Sequence, residues 1–375
     1  MSVTVAAVAP VEIRPDLGRV IAAIERAKQQ LGRKLVILTH HYQRPEIVRL
    51  GHLRGDSFRL SEAASREIDA KYIVFCGVHF MAQSAAMLCR EDQIVLHPNL
   101  RAGCPMADMA DLGDVERAWN ELTEVLGRPA DDCVVPVAYM NTAADIKGFV
   151  GAHDGAVCTS SNADRVLAWG WARQEKLLFL PDEHLGRNTA TAMGVPPDAQ
   201  LVWDYTKPLG GHDPDAIRRA KILLWQGHCH VHTWFTPEMV ATIRANHPHA
   251  AMIVHPECDH SVVRLADATG STEKIVRTVE QAPAGATVII GTEVNLITRL
   301  AHERPDVNVI GLSRSLCPNM YRINLHNLRD TLDALVAVEQ HNAAIPDDHV
   351  VRVTERVRNN ARIALDHMLA LRGSN

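Results

Sequence analysis

Short runs of Val, Ile and Leu, bounded by turn residues or proline, recur at 35–39 (LVILT), 73–78 (IVFCGV) and 94–97 (IVLH). A second set follows at 134–139 (VVPVAY), 156–159 (AVCT) and 177–180 (LLFL). A third lies at 222–225 (ILLW), 252–255 (MIVH), 287–291 (TVIIG) and 309–312 (VIGL). Apolar runs this short predict buried strands. Between them the apolar positions take helical spacing, over 44–53, 59–69, 80–90, 114–126, 163–174, 237–246, 260–267, 272–281 and 294–303. Strand alternating with helix predicts an α/β protein with parallel sheets covered by helices. The similar scale of the sets predicts three related α/β/α domains, over 21–113, 114–215 and 216–324.

Residues 194–215 (GVPPDAQLVWDYTKPLGGHDPD) concentrate Pro, Gly and Asp without a period, which predicts an excursion acting as linker or lid. The helical, charge-rich stretch 325–375 predicts terminal helices packing back on the body. Residues 1–20 read as a leader: the apolar start lacks the positive n-region of a signal peptide and runs into Glu12, Arg14 and Asp16.

Composition narrows the function. The 375 residues carry 39 Lys and Arg against 44 Asp and Glu, a formal charge of −5, so a nucleic-acid partner is not expected. No apolar stretch approaches the roughly 18 residues a spanning helix needs, so no membrane partner is expected either. The eight cysteines are scattered without the dense spacing of a secreted disulfide framework, which fits a cytoplasmic protein. Histidine is abundant, at 20 residues, many of them where strands end.

Ligands in open parallel sheets bind beyond the carboxyl ends of the strands. Cys76 and Cys158 fall inside strand runs and Cys89 and Cys133 flank apolar segments, the usual places for a small buried hydrophobe. Cys104, Cys229 and Cys317 instead occupy loops after strands, and two of them precede proline, as at the end of the bacterial ferredoxin run. Without CxxC spacing a zinc ribbon is disfavoured; three distant thiolates on a four-iron cluster leave one iron open as a Lewis acid. GHCHVHTWF (227–235) places His228, Cys229, His230 and His232 together and keeps a zinc site as the rival. In HPEC, His255 and Glu257 are two apart and share one side of an extended backbone, as a proton-transfer pair requires. GST (270–272) and CTSSN (158–162) each precede a helical stretch, where hydroxyls and free amides receive anions or simply cap the helix. The chain has no GxxxxGK[ST], strand-linked GxGxxG or GxSxG.

Taken in order, HHYQRPEI (40–47), GDS (55–57), GVHFMAQSA (77–85), GCPMADM (103–109), VAYMNT (137–142), CTSSNA (158–163), PDEHLGRNTA (181–190), WQGHCHVH (225–232), VHPEC (254–258), GST (270–272), GTE (291–293) and LCPNMYRI (316–323) resemble the quinolinate synthase family. The resemblance implies three α/β/α domains about a pseudo-threefold axis, with the active site at their junction. It implies condensation of iminoaspartate with dihydroxyacetone phosphate to quinolinate, phosphate and water in NAD biosynthesis. It also implies a [4Fe-4S] cluster on Cys104, Cys229 and Cys317, and an aspartate oxidase or dehydrogenase as the source of iminoaspartate.

Carried over by motif, Tyr42, Tyr139, Glu257 and His255 are the catalytic candidates. His40, Ser57, Asn141, Ser160, Ser161, His255, Ser271 and Thr272 are the substrate-binding ones. Two departures stand out: His41 occupies a position where Asn is often found, and LCPN lacks the extra cysteines that some members carry. Asp182, His184 and Asn188 are assigned to architecture or to support of the site. On the residues alone, a non-catalytic iron–sulfur redox sensor and a zinc-dependent hydrolase remain as rivals.

Overall fold

A computed structural model describes residues 15–66 and 69–371. Strands β1 (Leu35–His40), β2 (Leu53–Gly55), β3 (Tyr72–Cys76) and β4 (Ile94–Leu96) form a parallel sheet in the order β2-β1-β3-β4. Strands β5 (Val134–Tyr139), β6 (Ala156–Cys158), β7 (Lys176–Leu180), β8 (Gln200–Trp203) and β9 (Ile222–Trp225) form the middle sheet, ordered β6-β5-β7-β9-β8. Strands β10 (Ala251–Val254), β11 (Ala268–Thr269), β12 (Thr287–Gly291) and β13 (Asn308–Gly311) form the third, ordered β11-β10-β12-β13. Helices flank every sheet, so the fold is α/β with three parallel sheets. The central strands β1, β3, β5 and β7 are buried along their whole length, which is why they read as unbroken apolar runs.

The helices follow local chemistry. Leu112–Leu126 starts where the Asp111 side chain accepts from the Gly113 amide, and it buries Val115, Trp119, Leu122 and Val125 along one stripe. It stops at Gly127, whose φ of 66° lets its amide reach the Thr123 and Glu124 carbonyls.

Sheet topology corrects the strand grouping. The run ILLW, assigned by sequence to the third set, is β9 and pairs with β7 and β8, so a division between 215 and 216 cuts the middle sheet. The Pro- and Gly-rich stretch 194–215 is not simply a linker or lid: it supplies edge strand β8 and leads into a short helix, Pro214–Arg219. It is bound to its own unit by Tyr205 stacking on Trp225 at 5.4 Å and by the Leu209 amide donating to Glu121. The spacing at 44–53 yields only the short helix Pro45–Val48 before β2, and that at 260–267 only His260–Val263. The leader reading falls largely on residues 1–14, outside the described residues; a helix, Pro15–Leu31, begins within the remainder.

The C-terminal helices pack on the body. Leu325–His341, opened by a capping box between Asn324 and Asn327, buries Leu328, Leu332 and Leu335 with Ile24 and Ala27 of Pro15–Leu31 against the first sheet. Glu355–Ala370 lies against the helix Ala144–Ala152 and β6. That approach needs Gly151, because the Asn360 carbonyl occupies the space a Cβ would fill. No helix among the described residues is long and apolar enough to cross a membrane.

Candidate active site

The loops that leave the carboxyl ends of the strands meet, and named bonds join them. From the first unit, the loop carrying Cys104 reaches the middle unit: the Met109 carbonyl accepts from the Trp225 indole at 2.7 Å and the Met109 sulfur lies 3.4 Å from the His228 amide. The Cys229 loop reaches the third unit, where the Ser315 hydroxyl donates to the Val231 carbonyl at 2.7 Å. The Cys317 loop returns to the first unit: Gln43 contacts the Met320 sulfur, and Arg44 donates to the Ile323 carbonyl at 3.0 Å. With β9 in the middle sheet, each unit contributes one of the three cysteines.

All three thiols are free and only partly exposed. Burial pushes Cys104 up to about 12, helped by the neighbouring Cys317 and Glu257. Cys229 is raised by burial, then by Glu257, Cys104 and Cys317; burial also raises Cys317. Cys317 thus weighs on Cys104 and both weigh on Cys229, so the set can ionise together only around a compensating cation. This donor set suits a soft metal or an iron–sulfur group.

Beside the thiols lies an acid–base cluster. The Tyr139 phenol, at the end of β5, donates to Glu257 Oε1 at 2.5 Å, and His232 Nδ1 lies 2.8 Å from Glu257 Oε2. Burial pushes the Glu257 carboxyl up, but His232 and the bonds donated by His232 and Tyr139 outweigh it and hold the group at about 2. Glu257 is therefore a buried carboxylate at neutral pH. Burial and that carboxylate raise Tyr139 and Tyr42, so both phenols keep their protons. The Tyr42 hydroxyl reaches Thr292 Oγ1 at 2.8 Å and Thr272 Oγ1 at 3.3 Å, and His232 Nε2 lies 3.1 Å from Thr292.

His40 and His255 are lowered to about 3, chiefly by burial, and are neutral. Nδ1 of His40 accepts the Tyr42 amide at 3.2 Å, and Nδ1 of His255 accepts the Glu257 amide at 3.4 Å. The tautomer is thereby set, leaving Nε2–H as the donor in each ring. His255 stacks on His232 at 4.3 Å.

Of the sequence candidates, Tyr42, Tyr139, His255, Glu257, His40 and Thr272 come together here. Asn141 follows β5, and its buried Oδ1 has no protein partner. Ser271 caps the helix Thr272–Glu280, accepting from the Lys274 amide. Ser57 opens the helix Ser57–Arg66, and next to it Asp56 accepts the Ser161 hydroxyl at 2.8 Å, drawing the Ser160–Ser161 turn to the first unit. Ser161 is thus committed to Asp56. His41 accepts from Arg299 at Nδ1 (2.8 Å) and donates from Nε2 to Glu273 (3.2 Å), tying β1 to the third unit.

The sequence assigns Asn188 to architecture or to support of the site but names no partner for it. Asn188 donates to the carbonyls of Pro256 and Cys258, both at 2.8 Å, and holds the turn that carries Glu257. Thr292 links Tyr42 with His232; the sequence offers it only within GTE, just after the run TVIIG, and assigns it no role. His232 was weighed as a zinc ligand and not as the partner of Glu257. Ligand atoms of Cys229, His232 and Glu257 do lie within 4.8 Å of one another, a set able to hold a single metal ion.

Parallel α/β units that converge on a buried carboxylate, two protonated phenols and neutral imidazoles define an enzyme active site of the kind built at strand carboxyl ends. The family model described as Quinolinate synthetase A protein matches residues 22–370, and the chain belongs to that family. It is 48% identical over 350 residues to a quinolinate synthase of Corynebacterium glutamicum, covering 93% of this chain and 86% of the relative. It is 47% identical over 354 residues to one of Herpetosiphon aurantiacus (94% and 92% covered), and 43% identical over 364 residues to one of Halalkalibacterium halodurans (95% and 96% covered).

Proposed function

We propose that the chain is a cytoplasmic quinolinate synthase. It condenses iminoaspartate, supplied by an aspartate oxidase or dehydrogenase, with dihydroxyacetone phosphate and releases quinolinate, phosphate and water. Family membership supports the reaction, and one observation carries the assignment of residues: the Tyr139–Glu257–His232 relay lies beside thiols contributed by three units. The same residues support a [4Fe-4S] cluster on Cys104, Cys229 and Cys317. When bound, such a cluster supplies a Lewis-acidic iron for the substrate nitrogen and carboxylate.

The remaining chemistry belongs to the chain. Glu257, ionised and desolvated, takes a proton from the condensing carbon skeleton, and Tyr139 and Tyr42 return protons to departing oxygens. The Nε2–H groups of His40 and His255 bind anions without adding charge, and Asn141 brings an unpaired buried carbonyl to the same wall. Ser57, Ser160, Ser271 and Thr272 supply neutral donors for phosphate and carboxylates, while Ser161, bound to Asp56, holds its turn against the first unit. The burial of His40, His255 and Glu257 limits the access of water to the hydrolysable imine.

The test is anaerobic purification, iron and sulfide analysis, and an assay for quinolinate from dihydroxyacetone phosphate and freshly generated iminoaspartate. Iron with acid-labile sulfide and quinolinate formation support the reading. Iron without quinolinate, with substrate supply verified, points to a redox sensor. Stoichiometric zinc without iron points to the hydrolase reading, which the Cys229–His232–Glu257 set favours.

A further inference from the structure

His41 is buried, and both of its ring nitrogens are spent on the third unit. Arg299, on the helix Val294–Glu303, donates to Nδ1 at 2.8 Å, and Nε2 donates to Glu273 Oε1 at 3.2 Å. Arg299 is itself buried and donates to Glu303 at 2.7 Å, while Glu273 lies in the first turn of the helix Thr272–Glu280. Tyr42 follows His41 in the chain and Thr272 precedes Glu273, and the Tyr42 and Thr272 hydroxyls lie 3.3 Å apart. Two bonds, His41 to Glu273 and Tyr42 to Thr272, thus run side by side across the boundary between the first and third units. A reacting group keeps its aim when the residue beside it is locked by bonds of its own.

We propose that His41 is a positioning residue that sets the Tyr42 phenol against Thr272 through its bond to Glu273, an inference that rests on the quinolinate synthase reading above. With both nitrogens occupied, His41 moves no proton itself. Its two bonds can be broken separately. Asparagine offers an acceptor where Nδ1 stands but ends short of Glu273; glutamine reaches the place of Nε2 and leaves Arg299 without its acceptor. His41→Asn therefore removes the bond that does the positioning, and His41→Gln keeps it. From the other side, Glu273→Ala removes the acceptor, and Glu273→Gln keeps an amide oxygen in its place.

The test is steady-state kinetics of quinolinate formation on the anaerobically purified holoenzyme, with variants matched for iron content. His41→Asn and Glu273→Ala should each lower kcat about tenfold and leave KM for dihydroxyacetone phosphate within about twofold, with His41→Gln and Glu273→Gln close to the unsubstituted protein. The double variant His41→Asn, Glu273→Ala should be no slower than either single one, because both remove the same bond. Arg54→Gln is the control: Arg54 also joins the first unit to the third, through Glu303 at 2.6 Å, but that pair lies at the last residue of its helix and leaves both bonds of His41 in place, so kcat and KM should not change. Unaltered kcat in His41→Asn overturns the inference, and so does an equal loss in Arg54→Gln. Should His41→Asn not fold, equal turnover in Glu273→Ala and Glu273→Gln overturns it. An iron-loaded, unsubstituted protein that forms no quinolinate overturns the reaction reading, and this inference with it, before any variant is compared.

Discussion

The Tyr139 phenol and the Glu257 carboxylate meet across 2.5 Å, one at the end of β5 and the other in the turn after β10. The acid–base pair is thus shared between two separately built sheets, and neither unit holds a complete site. Tyr139→Phe and Glu257→Gln should each lower quinolinate formation by about 10²–10⁴ while iron content stays unchanged. Turnover rates with iron analysis check this; undiminished turnover in Glu257→Gln removes that residue from proton transfer.

The cysteines divide by place. Cys104→Ala, Cys229→Ala and Cys317→Ala should each abolish iron and sulfide retention, because each removes the contribution of one unit. Cys76→Ala and Cys158→Ala should retain it, since both thiols lie inside buried strands and are raised by that burial. Metal analysis of the five variants decides, and iron retained in any of the first three contradicts the ligand assignment.

Asn188 acts on Glu257 without touching it. Replacing it by Leu leaves the Pro256 and Cys258 carbonyls buried without their donor, which should cost about 1–3 kcal/mol of stability. The turn that aims Glu257 loosens as well, so kcat should fall more than KM rises. Urea unfolding and steady-state kinetics on the loaded enzyme measure the two effects separately.

Acid stability should depend on His97. Burial, with His79 nearby, lowers this ring to about 3 from 6.5. Between those values the unfolded chain binds a proton that the folded chain refuses, so stability falls as pH falls below 6.5, by up to about 1.4 kcal/mol per unit. Glu293, raised by burial to about 8 from 4.5, works in the opposite direction over its own window. Comparison with His97→Gln, which retains a donor for the Gly77 carbonyl, isolates the histidine. Between about pH 7.5 and about pH 5 the unsubstituted protein should lose about 2 kcal/mol more than the variant in urea unfolding; equal losses contradict the assignment.

The central strands were legible in the sequence because parallel strands covered on both faces need apolar side chains throughout. β8 was not, since it is an edge strand whose Leu201 and Val202 are only half-buried and whose neighbours Pro196 and Pro197 suggest a loop. The placement of ILLW was hidden for another reason: chain order carries no record of which sheet a strand joins. In the site, the residues that perform chemistry sat in motifs at strand ends. The residues that hold them, Asn188 and Thr292, act through bonds to distant backbone or side chains, and one-dimensional spacing does not encode those partners.

The helix Glu355–Ala370 has a consequence for how the molecule assembles. His367 on it bonds the Gly155 carbonyl 212 residues upstream, so edge strand β6 acquires its neighbour only by closing a very long loop of chain. Closure over such a distance carries an entropic cost that the local contacts of β5 and β6 do not. Without this helix the middle sheet would present an uncovered border at β6.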